Sequence, residues 1–488
     1  FASEIKALLA HPSVRAQPDD RTLAEWLYRI PDYAGLSRTF FQNISMVVPG
    51  ESVTVRPEGI ARGRIREFDV TTQLRLKTYG EYVEAYKEHF AAAVKRRLRS
   101  AFPVAFAVSG GLDSSSIYCM AQEIARREAG DARKLVGMCL APSDPAGNEI
   151  EFQRAIEERY GIELLRIPLV SGPSLQNKGQ NELAYHSEGP HIRWQIWRDY
   201  ARLCVQNGAR TMLSGYFGDH LLLNPQFILD LAVKGRWIQA FRHGTKYFRW
   251  FEELSARENA HCLYTSLKGY VIPEQLRPLY HRLRRGVRKQ DFPPIPWFSD
   301  SFFAQAQEIA RNGRTMDVPQ GRAHMKILYQ YVHSRRFTLR ADMDQKMDAE
   351  FPCETAFPFR DRALVQLMFS LPGEVVYRSG SRGIHRDAMT GILPEKVRLR
   401  RSKANFDDPA RRGAADDLKT LWTTLPSGGA ARMGYLAPEA RLTEALTSLR
   451  ELLPGSPGAG TSWLTSDLIA LESWLSTFFA GETPASTV

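Results

Sequence analysis

Residues 103–118 read PVAFAVSGGLDSSSIY, an apolar run that meets a glycine–serine turn and continues into a helical pattern through Arg126. Val104 to Val108 have the continuous apolar character of a strand buried on both faces in a parallel sheet. Gly110 and Gly111 allow a tight turn and a close approach of backbone to a ligand. Serine hydroxyls, backbone N–H groups and the positive end of the following helix together suit a phosphate. The stretch is not a kinase-type P-loop. No Gly-Lys-Ser/Thr follows it, and the chain contains no Gly-Lys pair.

Outward from this stretch, strands and helices alternate. Tyr79 to Arg99 carries Val83, Tyr86, Phe90, Val94 and Leu98 at helical spacing, which predicts a surface helix with one core face. Lys134–Leu140, Leu164–Leu169 and Arg210–Gly215 read as further strands, with helices predicted over 149–160 and 194–206 between them. Such alternation implies right-handed βαβ units and a parallel sheet covered on both faces. Ligands of these sheets sit at the carboxyl ends of the strands, where the Ser109 and Ser214 loops both fall. From about Phe227 the pattern is mainly helical and rich in aromatic residues, which suit a core. Residues 271–298 hold five prolines beside the basic run 282–289 and read as a loop.

The 488 residues allow two or three domains. A hydrophobic share of 43% and a charged share of 24% are those of a soluble globular protein, and no apolar run reaches membrane-spanning length. Five scattered cysteines form neither a disulfide framework nor a zinc pattern, which predicts small core residues in a reducing cytoplasm. The net charge of +11 admits a polyanionic partner without choosing among ATP, nucleic acid and an acidic peptide.

Three motifs carry a family resemblance. Ser109-Gly110-Gly111-Leu112-Asp113-Ser114-Ser115 resembles the pyrophosphate-binding loop of the ATP pyrophosphatase superfamily, whose members split ATP into AMP and pyrophosphate. Ser214-Gly215-Tyr216-Phe217-Gly218-Asp219 is similar to the Ser-Gly-x-Gly-x-Asp loop of its asparagine synthetase branch. Cys353 to Asp361 resembles that branch's Glu-x-Arg-x-Pro-Phe-Leu-Asp segment, and Arg400 to Phe406 its Arg-x-Lys-x-x-Phe segment. The resemblance implies an α/β parallel sheet of the ATP-pyrophosphatase (adenine nucleotide alpha hydrolase-like) type with a largely helical C-terminal part. It implies ATP held by Ser109, Gly110, Gly111, Asp113, Ser114, Ser115, Met138 and Gly215, and Mg²⁺ held by Asp113 and Asp219. Glu354 matches the family's active-site glutamate and Lys403 its charge-stabilising lysine. Residues 1–75 are similar to the end of a glutaminase-like α+β domain, whose nucleophilic cysteine has no counterpart here. Residues 76–488 would be the synthetase domain, with a helical insertion at about 225–340 that matches nothing in the family.

Departures from asparagine synthetases narrow the expectation. Tyr216 stands where those enzymes carry glutamate, and His220 follows Asp219. A tyrosine there is similar to β-lactam synthetases, which implies Tyr216 and Glu354 as a couple that deprotonates an amine. Among amine-using relatives, lasso peptide cyclases (macrolactam synthetases) fit best, so the expected partner is a ribosomal core peptide, with a leader peptidase and a leader-recognition protein as companions. The alternatives are a β-lactam synthetase or other small-molecule amide ligase, an asparagine synthetase-type amidotransferase, and an RNA-modifying relative. No membrane partner is expected. Nucleic acid is disfavoured because RNA-modifying relatives would lack the Glu354 and Lys403 segments.

Overall fold

The computed structural model describes residues 1–30, 36–64, 67–128, 134–142, 149–169, 180–191, 195–248, 257, 294–312, 323–401, 423–452 and 459–480. An exposed antiparallel hairpin comes first, β1 (Glu51–Arg56) against β2 (Gly59–Arg64). The central sheet follows with β3 (Val104–Ala107), β4 (Leu135–Pro142), β5 (Leu165–Leu169), β6 (Thr211–Leu213) and β7 (Glu354–Ala356). Its spatial order is β5-β4-β3-β6-β7, and every pairing is parallel. The chain moves outward from β3 to β5, then returns to β6 on the other side of β3. That reversal is a topological switch point, and it opens a crevice between the carboxyl ends of β3 and β6.

The helices match the expected periods. Tyr79–Arg97 begins with a capping box, in which Thr78 Oγ1 accepts from the Glu81 N–H and the Glu81 carboxylate accepts from the Thr78 N–H. Its buried face, Tyr86, Phe90 and Val94, packs with Phe106, Tyr118, Phe359 and Phe369 in the main core. Ile150–Tyr160 ends on Gly161 in the left-handed region, φ 65°.

β7 was not expected as a strand. Three residues carry too little period to stand out, and only pairing with β6 makes Glu354–Ala356 extended. The N-terminal segment packs against the later part of the chain. Leu23, Phe40 and Phe41 share a second core with Phe302, Leu471, Trp474 and Phe479 from the far end of the chain. Thr39–Phe41 forms no ladder, only an isolated bridge from Phe41 to Pro18.

Four cysteines are buried core residues as expected, and Cys204 Sγ lies 2.8 Å from Cys353 Sγ, a proximity their spacing in sequence conceals. The basic run at 282–289 lies outside the described residues, as does most of the proline-rich stretch. Among the described residues no helix is long and apolar enough to cross a membrane.

Candidate active site

The Ser109 loop closes on itself before the Leu112–Arg127 helix begins. The Ser109 N–H donates to Ser114 Oγ at 2.9 Å, the two hydroxyls lie 2.7 Å apart, and the Gly111 N–H donates to Ser109 Oγ at 3.1 Å. Gly110 has φ 77°, and a Cβ there would stand 3.1 Å from Phe152 Cβ, so this turn requires glycine. The Ser214 loop arrives from the adjacent strand at the same edge. A Cβ on Gly215 would fall 2.7 Å from the Ser114 nitrogen, and one on Gly218 2.6 Å from Asp113 Cγ. The two loops thus touch through glycines, which is why the second motif needs them.

Asp113 and Asp219 converge on one guanidinium. Arg382 Nη1 donates to Asp113 Oδ1 at 3.2 Å and Nη2 to Asp219 Oδ1. Arg382 was not singled out from the sequence; its signal is only a cation placed shortly before Lys403. Its backbone is left-handed, φ 56°, as is that of Phe217, φ 78°. Strained non-glycine residues gather at functional sites. Two convergent carboxylates are the hard oxygen donors that Mg²⁺ takes. Among the described residues no third His, Cys, Asp or Glu joins a metal cluster, so phosphate oxygens and water would complete the shell.

A layer of buried charge backs this edge. Arg400 donates to the Gly110 carbonyl at 3.3 Å and pairs with Glu149, and its guanidinium lies 4.2 Å from the Phe152 ring centre. Burial pushes the Glu149 carboxyl up despite the opposing pull of Arg400. Arg386 reaches the carbonyls of Ser381, Arg398 and Arg400, tying the Arg382 turn to the segment that leads toward Lys403. His385 is wholly buried and joins Tyr86 Oη at 2.9 Å to Ser116 Oγ at 2.8 Å. Burial holds its imidazole far below the usual histidine range, with Arg382 and Arg386 adding to the effect, so it is neutral.

Beyond Gly215 the site turns aromatic. The Tyr216 ring lies 5.7 Å from Phe357 and 5.9 Å from His220, whose ring in turn lies 4.8 Å from Tyr331 and 4.6 Å from Phe337. Arg360 stands over Tyr216, Phe217 and Phe357 at 5.5–5.7 Å. Burial raises the Tyr216 phenol above its ordinary value, while Arg340, Arg360 and Arg336 pull it down by less. At neutral pH it is a protonated phenol.

The remaining expected site residues are placed as follows. Met138 is a fully buried core side chain in β4, with its carbonyl already accepting from the Val108 N–H at 2.7 Å. Ser115 is wholly buried, and among the described residues its Oγ has no hydrogen-bond partner. Glu354 pairs in register with Thr211 at the amino edge of β6 and β7, while Tyr216 follows their carboxyl edge. Its exposed side chain lines a cavity of about 380 Å³ with Arg210, Gln345 and Asp348. The parallel register, which no sequence motif reveals, is what separates Glu354 from Tyr216. Lys403 lies outside the described residues.

A parallel sheet with two glycine-bearing loops meeting at its switch point, one opening a helix and both presenting an aspartate, defines an ATP-pyrophosphatase-like nucleotide fold. Residues 85–476 match the family model described as asparagine synthase, and the chain belongs to that family. It is 34% identical over 125 residues to asparagine synthetase [glutamine-hydrolyzing] 3 of Bacillus subtilis (strain 168), covering 25% of this chain and 19% of that protein. It is also 34% identical over 131 residues to amidase chyE of Penicillium rubens, covering 26% of this chain and 18% of that protein. The matched stretches therefore span about a fifth of each relative.

Proposed function

We propose that this chain forms an amide from a carboxylate and an amine at the expense of ATP, and that its substrate is a lasso core peptide. The N-terminal amine of that peptide would be joined to an Asp or Glu side chain as a macrolactam. The observation that carries the ligase reading is the meeting of the two loops, which brings Asp113, Asp219 and Arg382 together at the carboxyl edge.

In this reading ATP lies across the crevice, with its pyrophosphate over the Ser109 loop and the first turn of the Leu112–Arg127 helix. Backbone N–H groups and the helix dipole there favour negative charge. Asp113 and Asp219 would hold Mg²⁺, which would offset the negative charge of the phosphates. Arg382 supplies a preorganised cation at the same place, worth several kcal/mol where charge develops. The substrate carboxylate attacks the α-phosphorus and pyrophosphate departs. The amine then attacks the acyl carbon, the C–N bond forms as one N–H proton is released to solvent, and AMP leaves with the former carboxylate oxygen. The Tyr216 phenol, uncharged at neutral pH, orients the amine by accepting its hydrogen bond.

A peptide rather than ammonia is supported by Tyr216 in place of the family's glutamate and by the wide aromatic wall from Phe217 to Phe337. Full-length protein incubated with ATP, Mg²⁺ and candidate core peptides should release AMP and yield a peptide lighter by one water in the mass spectrum. Loss of water from a small β-amino acid instead would replace the peptide reading with the β-lactam synthetase one.

A further inference from the structure

The aromatic wall holds an arginine that nothing in the proposed chemistry uses. Arg360 closes the turn Pro358–Arg360 directly after β7, at the carboxyl edge of the sheet. The Arg360 guanidinium is half-buried and lies over three rings, Phe217 at 5.5 Å and Tyr216 and Phe357 each at 5.7 Å. Among the described residues none of its five N–H donors has a hydrogen-bond acceptor, and its acidic neighbour, Asp344, acts on it without a direct ion pair.

The carboxylates around it are already engaged. Asp361 binds Arg97 at 2.9 Å and caps the Arg362–Ser370 helix through the Ala363 N–H at 3.0 Å. Asp344 lies 3.0 Å from both Arg340 Nε and His191 Nε2. Asp467 lies 3.0 Å from Arg29. Arg336, which also acts on Tyr216, donates to the Trp26 carbonyl at 2.6 Å, lies over the Trp26 ring at 4.6 Å and has Asp467 as its acidic neighbour. Three guanidinium groups, those of Arg340, Arg360 and Arg336, therefore act on the Tyr216 phenol, while Asp344 and Asp467, the aspartates that act on this cluster, are each also held by another cation. A desolvated cation with unused donors is costly unless something supplies the counter-charge. Planar forked donors on an aromatic platform match a carboxylate in particular.

We infer that Arg360 is a specificity-determining residue that receives a carboxylate of the substrate against the Tyr216–Phe217–Phe357 wall. The inference deepens the amide-ligase reading and rests on it. The carboxylate has two possible sources, the group that is to be activated or a second one that the product keeps.

Ligand-observed NMR on the full chain tests this with N-acetylglutamate and its uncharged analogue N-acetylglutaminamide as probes. The wild type should bind the dicarboxylate and not the diamide. Arg360→Leu should weaken dicarboxylate binding roughly 10- to 100-fold, the loss of one charge-assisted contact. Arg360→Lys should recover part of it, with ATP binding and melting temperature kept in both variants. The two single-carboxylate probes, N-acetylglutamine and N-acetylglutamate α-amide, identify which position Arg360 reads. Equal binding of dicarboxylate and diamide to the wild type would overturn the inference, even if Arg360→Leu failed to fold. So would equal dicarboxylate binding to a folded Arg360→Leu. Because binding is read without turnover, a failure of AMP release would count against the ligase reading and leave this result standing.

Discussion

The two halves of the crevice are built on opposite terms. On the nucleotide side each charge has a protein partner: Arg382 spans Asp113 and Asp219, and Arg400 pairs with Glu149 beneath the loop. On the other side the walls are rings, Tyr216, Phe217, Phe357 and Phe337, and Arg360 among them has no acceptor in the described residues. The first half resembles a finished electrostatic device that acts on a ligand of constant shape. The second has a shape and a surplus of positive charge, and its complement must come from the substrate. A ligase that keeps ATP chemistry fixed while changing its acyl and amine partners would divide its site in this way.

The largest effect should come from the paired half. Asp219→Asn should lower AMP release roughly a hundred- to a thousandfold, the range for losing one preorganised charge contact. A fall below tenfold would mean that the two aspartates do not act together. Next, Gly215→Ala places a methyl 2.7 Å from the Ser114 nitrogen. It should cost about 1–3 kcal/mol in denaturant unfolding and weaken ATP binding, because the loops must part to admit it. Unchanged ATP affinity in a folded variant would show that loop contact is not needed.

His385 tests the support beneath both halves. Its folded imidazole titrates far below the unfolded value of about 6.5, so the unfolded chain takes up the proton first as pH falls. Stability from this group is present above about pH 6.5 and is lost below it, at up to about 1.4 kcal/mol per pH unit. Melting temperatures from pH 7 to 5 should fall less steeply in His385→Gln than in the wild type. Parallel curves would show that His385 does not govern the acid limb.

A smaller, more selective change is expected at Tyr216. Tyr216→Phe should slow amide formation about tenfold, as for one lost hydrogen bond, while pyrophosphate–ATP exchange stays normal. Equal slowing of both reactions would place Tyr216 in the nucleotide half instead. Glu354→Ala should do least, with AMP release within about twofold of wild type, the change typical of a surface substitution. A large loss there would restore the Tyr216–Glu354 couple that the register separates.

The nucleotide half was legible because its parts are local. A buried strand, a glycine turn and a helix lie within residues 104–127, and the alternation that follows predicts the sheet. The acceptor half depends on contacts over long sequence separation. Tyr216 meets Phe357 across more than a hundred residues, and Arg382 meets Asp113 across 269. The burial of the Met138 and Ser115 side chains follows from packing against neighbouring elements, which a local motif does not encode. Glu354 shows that a three-residue strand can carry a motif at the edge opposite the chemistry. The ring partners of Phe40 and Phe41, Trp474 and Phe479, lie at the other end of the chain, where no local pattern announces them.

We propose that the two loops cleave ATP between its α- and β-phosphates to activate a carboxylate. Exchange of labelled pyrophosphate into ATP, measured with Mg²⁺ and a candidate core peptide, tests it most directly. The account predicts exchange that requires the peptide's acidic side chain and disappears in Asp113→Asn. Release of ADP and inorganic phosphate from ATP instead would contradict it.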